Sequence, residues 1–309
     1  MGAFARSGVR LAACALAIAL IGAPAIAAES PSCRNLAVQR EQQGPDPNTA
    51  QLNFLLFSAA GEGCEALVVE LLKAGASVAA RDRIGNTALN RAAREGRTAM
   101  AALLIERGAD VDQANLQGST PLFLAAQANK LETAQFLLGK GADPKAAGRS
   151  GASVLIAAAY NANAPLAALL LDKGADPQAA DSTGKTPILY AAARGATDIV
   201  RRLLDRGVAV DQRYANDLTV LMWAAGHAKD VPAASGVATV GLLLDKGARA
   251  DDADNRGRTA LMMAAELGHA DVARLLVERG AHKELLDKEG KSAGDLAADQ
   301  ATRALVAVR

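Results

Sequence analysis

His227, His269 and His282 are the only histidines in a chain of 309 residues, and imidazoles are the side chains best placed to pass protons near neutral pH. Neither an H-E-x-x-H pair nor paired C-x-x-C motifs occur, so no spacing suits a metal. A G-x-S-x-G elbow for an activated serine is missing, as is a phosphate loop of Walker type. Gly61-Glu62-Gly63 places two glycines in a helix–helix loop and is no dinucleotide fingerprint. Asp and Glu number 33, but solvated carboxylates dominate such a count, and no motif sets two of them apart as an acid/base pair. The sequence therefore points away from catalysis and implies no cofactor.

Cysteine offers the other chemistry. Of Cys14, Cys33 and Cys64, the first falls in a segment with the marks of a secretory signal. Arg6 and Arg10 precede an apolar run of roughly 11 residues, Leu11 to Ile21, inside the usual 7–15 of a signal core and short of the ~20 a spanning helix needs. Ala25-Ile26-Ala27 and Ile26-Ala27-Ala28 supply small-residue cleavage sites. Residues 1–27 are read as a signal peptide cut after Ala27 or Ala28, the alternative being an uncleaved anchor. Without an Arg-Arg pair the general secretory route is expected. Leu11-Ala12-Ala13-Cys14 opens the apolar run, where a lipoprotein box would close it. The mature protein is expected to be periplasmic or secreted, without stable membrane insertion. Cys33 and Cys64 then form an even pair in an oxidising compartment, a candidate disulfide between tail and first repeat.

The elements come from periodicity. Gly75, Gly108, Gly141, Gly174 and Gly207 recur every 33 residues, Gly247 follows 40 later, and Gly280 another 33 on. Each lies just after an apolar pair such as Leu71-Leu72 or Leu203-Leu204, where a glycine ends a helix in the left-handed conformation. In the same register Thr87, Thr120, Ser153, Thr186, Thr219, Thr259 and Ser292 precede Leu/Ala-rich runs, as helix N-caps. Pro121 and Pro187 follow two of them at a position that needs no N–H. Each unit reads as turn, short helix, loop, second helix, glycine stop. Apolar residues make up 50% of the chain but aromatics only 3%, which suits closely packed short helices built from Ala, Leu and Val.

The stretches GNTALNRAAREGRTAMAALLIERGADVD and GKTPILYAAARGATDIVRRLLDRG resemble the ankyrin repeat, patterned G-x-T-P-L-H-x-A-A-x-x-G and then a helix ending L-L-x-x-G-A. The resemblance covers about residues 51 to 309 and implies an all-α solenoid of helix–turn–helix units. About seven repeats are expected, beginning near Gln51, Asp82, Asn115, Gly148, Asp181, Tyr214 and Asp254. A truncated C-terminal cap follows from Asp287, and residues 28–50 read as a tail or irregular cap. The pattern's His is replaced throughout, by Asn90, Phe123, Ile156, Leu189, Met222 and Met262. Its inter-helix Gly gives way to Asn129, Ala162 and Ala228, so altered loops are expected in the middle units. His269 follows Gly268 where the pattern tends to place His, which suits a structural role. The sixth unit is seven residues longer, around Lys229 to Ser235, and a surface loop is expected there.

Such stacks bind proteins on turn tips and first helices. Carried over unit by unit, the family's contact positions hold Arg83, Arg94, Arg149, Lys185, Arg194, Arg256 and Arg258 against only Glu95 and Glu266. The whole chain is near neutral, formally +1, falling to about −1 once Arg6 and Arg10 leave with the signal. The bias therefore belongs to this face and suits a protein partner with an acidic patch. Near-neutral charge and export exclude nucleic acid. Every Tyr and the only Trp, Tyr160, Tyr190, Tyr214 and Trp223, fall in units four to six, and such residues dominate interface hot spots. The expected function is a non-catalytic scaffold, an accessory or inhibitor of an envelope protein. A second reading is a small-ligand protein or enzyme using a groove around Tyr190, Trp223 and His227.

Overall fold

A computed structural model describes residues 30–308; the expected signal peptide lies outside them. Seventeen helices follow in chain order, with no strand among the described residues. After α1 (Pro31–Gln42) they pair into units: α2 (Thr49–Glu62) with α3 (Glu65–Lys73), α4 (Ala88–Glu95) with α5 (Thr98–Glu106), and α6 (Pro121–Gln127) with α7 (Leu131–Gly139). Next come α8 (Val154–Tyr160) with α9 (Ala164–Asp172), α10 (Pro187–Ala193) with α11 (Thr197–Asp205), and α12 (Val220–Ala225) with α13 (Ala233–Asp245). Last are α14 (Ala260–Leu267) with α15 (Ala270–Glu278), and the short pair α16 (Ala293–Leu296) and α17 (Gln300–Val306). Even-numbered helices stack in one row and odd-numbered helices from α3 in a second, looser row.

Ala-Ala pairs explain the tighter row. Ala59-Ala60, Ala92-Ala93, Ala125-Ala126, Ala158-Ala159, Ala191-Ala192, Ala224-Ala225 and Ala264-Ala265 are all completely buried. A methyl group at each crossing lets backbones approach more closely than Leu would, while Leu104, Leu137, Leu170, Leu203, Leu243 and Leu276 fill the space between rows. Six of the seven hydroxyls cap their helices as the sequence implies; Ser153 Oγ, for example, accepts from Ile156 N at 3.2 Å. Thr186 does not. Its hydroxyl lies buried near that of Tyr214, but the two fall outside hydrogen-bond geometry.

The turns between units are pinned by one side chain. Asp82, Asn115, Asp181, Asp254 and Asp287 each accept from the backbone N–H groups two and four residues on, as Asp181 Oδ1 does from Thr183 and Lys185 at 2.8 and 3.1 Å. Units four and six have Gly148 and Tyr214 instead, and there the turn closes as a single 3₁₀ turn, Arg149–Gly151 and Ala215–Asp217. Without the carboxylate pin, left-handed conformations fall on Ser150, Asn216 and Asp217. Successive tips are tied by backbone bonds such as Ser182 N to Ser150 O, 2.8 Å.

Two expectations need correction. Asn129 and Ala162 keep the left-handed geometry of the glycines they replace, at φ 56° and 52°, so those two inter-helix loops are not altered; Asn tolerates that conformation, whereas Ala162 is strained. A left-handed Ala costs about 1–2 kcal/mol. Ala162→Gly is therefore expected to raise thermal stability by about 1 kcal/mol, and Asp217→Gly (φ 61°) similarly. Unchanged or lower melting temperatures in both variants would mean the strain is absent. The insertion of unit six is not a free loop. Part of it lengthens α13, to 13 residues where the other outer helices of full units have nine. The rest lies back on unit five: Ala228 N donates to Ala193 O at 3.0 Å, and Val231 is buried.

At the N-terminal end, residues 31–42 form a regular helix, where an irregular cap was one expectation. α1 packs on α2, and Cys33 in α1 is bonded to Cys64, the residue before α3, with Cα atoms 5.4 Å apart.

Candidate binding face

The inner helices α8, α10, α12 and α14, with the turns before them, bring several predicted residues into one row. Tyr160, 57% exposed, meets Tyr190 edge-on, ring centroids 6.2 Å apart, in the favoured T-shaped geometry. The Arg194 guanidinium lies 5.7 Å from the Tyr160 ring centre, and Lys185 Nζ lies 5.4 Å over Trp223, both cation–π contacts. The Tyr190 hydroxyl donates to Asp181 Oδ2 at 2.6 Å, so Tyr190 also braces the carboxylate that pins its own turn. Burial, reinforced by that carboxylate, pushes the Tyr190 phenol up to about 12.

Trp223 is half-buried and forms a wall of an apolar pocket of about 270 Å³ with Leu218, Met222, Met263 and Leu267. Leu218 and Leu267 stand at contact positions that the ankyrin resemblance implies, whereas Met222 and Met263 were not singled out as contacts, because they also read as ordinary core. A second cavity, about 440 Å³, lies where the insertion meets unit five, lined by Arg194, Asp198, Asp230 and Ser235 among others.

Three predicted contact residues are not free surface groups. His227 is only 5% exposed. Its ring sits where a side chain on Gly236 would be, 2.3 Å from an added Cβ, and stacks on His269 with centroids 3.8 Å apart. It plugs the join between the end of α12, α13 and the start of α15, and so leaves the groove proposed around Tyr190 and Trp223 without its third group. Tyr214 is half-buried with its hydroxyl enclosed, and burial pushes that phenol up. Arg258, its side chain 13% exposed, pairs with Glu266 at 2.5 Å and Asp287 at 3.5 Å, joining unit seven to the cap.

The basic bias is also smaller than the sequence implies. Arg94 pairs with Glu95, Arg194 with Asp230, and Arg256 with Asp254. Arg83, Arg149 and Lys185 have no carboxylate within ion-pair distance among the described residues. On the outer row, Asp172–Arg206, Asp205–Lys246 and Asp245–Arg279 form a ladder, each bond crossing from one unit to the next. Exposed pairs of this kind contribute roughly 0–1 kcal/mol each.

His269 has a structural role. Its Nδ1–H donates to Ala225 O at 2.9 Å, and burial, with His227 and Lys229 adding to it, lowers its pKa below 6.5 against the raising effect of that bond. Depression in the folded state means that the unfolded chain binds the proton more readily, so this contribution is present above pH 6.5 and is lost as pH falls below it. Melting temperature is expected to drop from pH 7.5 to 5.5, and His269→Asn, whose amide can donate to Ala225 O, to flatten that slope. His282 titrates in the opposite sense, its pKa raised by the bonded Asp251, but it is fully exposed. A slope unchanged in His269→Asn would remove His269 as its source.

Among the described residues no cluster of His, Cys, Asp and Glu could hold a metal ion, and no helix is long and apolar enough to cross a membrane. The family model for ankyrin repeats (three copies) matches residues 55–148, 154–233, 211–287 and 230–306. The chain belongs to the ankyrin-repeat family. Ankyrin repeat domain-containing protein 63 of Homo sapiens and its Mus musculus counterpart are each 47% identical over 53 residues. That segment is 17% of this chain and only 14% of either relative, so the likeness extends to the repeat unit alone. Ankyrin-repeat proteins are in general non-catalytic interaction modules.

Proposed function

We propose that this ankyrin-repeat protein is an exported, periplasmic scaffold that holds one envelope protein against its inner-helix face, as an accessory or inhibitor. The observation that carries the reading is the row Tyr160, Tyr190, Lys185 and Trp223 on successive inner helices and turns, where aromatic rings are braced by cations. Tyr and Trp give large contact areas with few rotatable bonds, and they dominate hot spots. The Cys33–Cys64 bond favours an oxidising compartment and agrees with the signal-like residues 1–27.

Affinity capture from an envelope extract, using the mature chain tagged at its C-terminus, tests this. One dominant partner is expected, retained by wild type and lost by Trp223→Ala. Tyr190→Phe keeps the ring but not the bond to Asp181, and is expected to keep the partner while melting slightly lower. A set of unrelated weak partners, unaffected by Trp223→Ala, would overturn the reading.

A further inference from the structure

We propose that the pocket between α12 and α14 receives one large apolar side chain of a polypeptide partner, from a segment carrying a carboxylate beside it. The proposal rests on the scaffold reading and names the partner chemistry. At about 270 Å³ the pocket falls below the ~300–1,000 Å³ of sites that enclose whole small molecules, yet it offers an apolar wall on each side. Leu267 remains 41% exposed at its edge, and Met222 and Met263 bring flexible, polarisable side chains that adapt to a visitor's shape.

Charge selects the neighbour. Lys185 lies over the Trp223 ring and has no ion-pair partner among the described residues. Arg256 lines the pocket with its side chain exposed, held only by Asp254 in its own turn. Glu266, the one carboxylate in the lining, is occupied by Arg258. One unpaired cation, Lys185, an exposed guanidinium already bonded to Asp254, and one neutralised anion favour an acidic flank on the incoming segment and disfavour a basic one. By contrast, the larger cavity pairs Arg194 with Asp230 and leaves Asp198 as its unpaired charged group, a lining that does not favour a carboxylate.

Trp223 is the sole tryptophan, so its emission reports on this pocket without labelling. The experiment selects a phage-displayed random dodecapeptide library on the disulfide-bonded mature chain, then titrates synthetic copies of enriched peptides while following Trp223 fluorescence. Expected are sequences with Leu, Met or Phe beside Asp or Glu, and saturable spectral shifts. Leu267→Asp, at an exposed position, should weaken binding at least tenfold with an unchanged melt. Lys185→Glu with Arg256→Glu should turn the preference toward Lys- or Arg-flanked peptides. Peptides that bind but are indifferent to all three substitutions would overturn the pocket and leave the scaffold reading standing. No enrichment over a heat-unfolded control would overturn both.

Discussion

Cys33→Ser/Cys64→Ser is expected to lose roughly 3–4 kcal/mol at the N-terminal end of the stack, the chain-entropy value for a bridge closing a loop of 31 residues. The reason for a local loss lies in α1. Its sequence, PSCRNLAVQREQ, is mostly polar. Cys33 is its one buried residue, Leu36 is half-buried and Val38 is 49% exposed. Helices of about 12 residues are marginal alone in water, and the Arg40–Glu70 pair at 3.5 Å adds little. Take away the bridge and α1 has few contacts to hold it on α2. Trypsin should then cut at Arg34 and Arg40 well before the repeats open, and reduction of wild type should reproduce that pattern. Equal cleavage rates for oxidised and reduced protein would mean that packing alone holds the helix. The bridge therefore substitutes for the polar capping repeat that stacks of this kind normally need.

Gly148→Asp is expected to destabilise the middle of the stack by about 1–3 kcal/mol, the usual range for overpacking a filled core, although it restores the residue type that pins most other turns. An added Cβ would lie 2.2–2.4 Å from three carbons of the Phe123 ring, and that ring is buried. The backbone itself is permissive, at φ −109°, so the obstacle is the ring and not the conformation. In a Phe123→Leu background the sign should reverse. The new carboxylate could then accept from the N–H groups of Ser150 and Ala152, as Asp181 does from Thr183 and Lys185. Thermal melts of the two single variants and the double variant form a cycle; additive effects would show that the two positions do not communicate.

That pair illustrates what could be read from sequence. The glycine and hydroxyl registers specify helices, caps and stops because each acts within a few residues. In sequence Phe123 reads only as a replacement of the pattern's His and Gly148 only as the start of a unit, yet the Phe123 ring fills the space that a side chain at position 148 would need. The candidate binding face divides the same way. Tyr160, Tyr190 and Trp223 fall on the row expected of them, because repeat register carries position from unit to unit. Which cations stay available was not legible: Arg194 finds Asp230 36 residues on, and Arg258 finds Asp287 in the cap. Nor was the burial of His227, since the insertion that encloses it departs from the repeat.

The insertion has a mechanical consequence. Ala228, Asp230 and Val231 add bonds and packing from unit six to unit five, while His227, just before the insertion, stacks on His269 of unit seven, so two successive junctions are reinforced. Stretched between its ends, an array of independent units gives way one rung at a time. Here the rungs from five to seven are lashed together, so they would resist as a single block and release their length in one long extension.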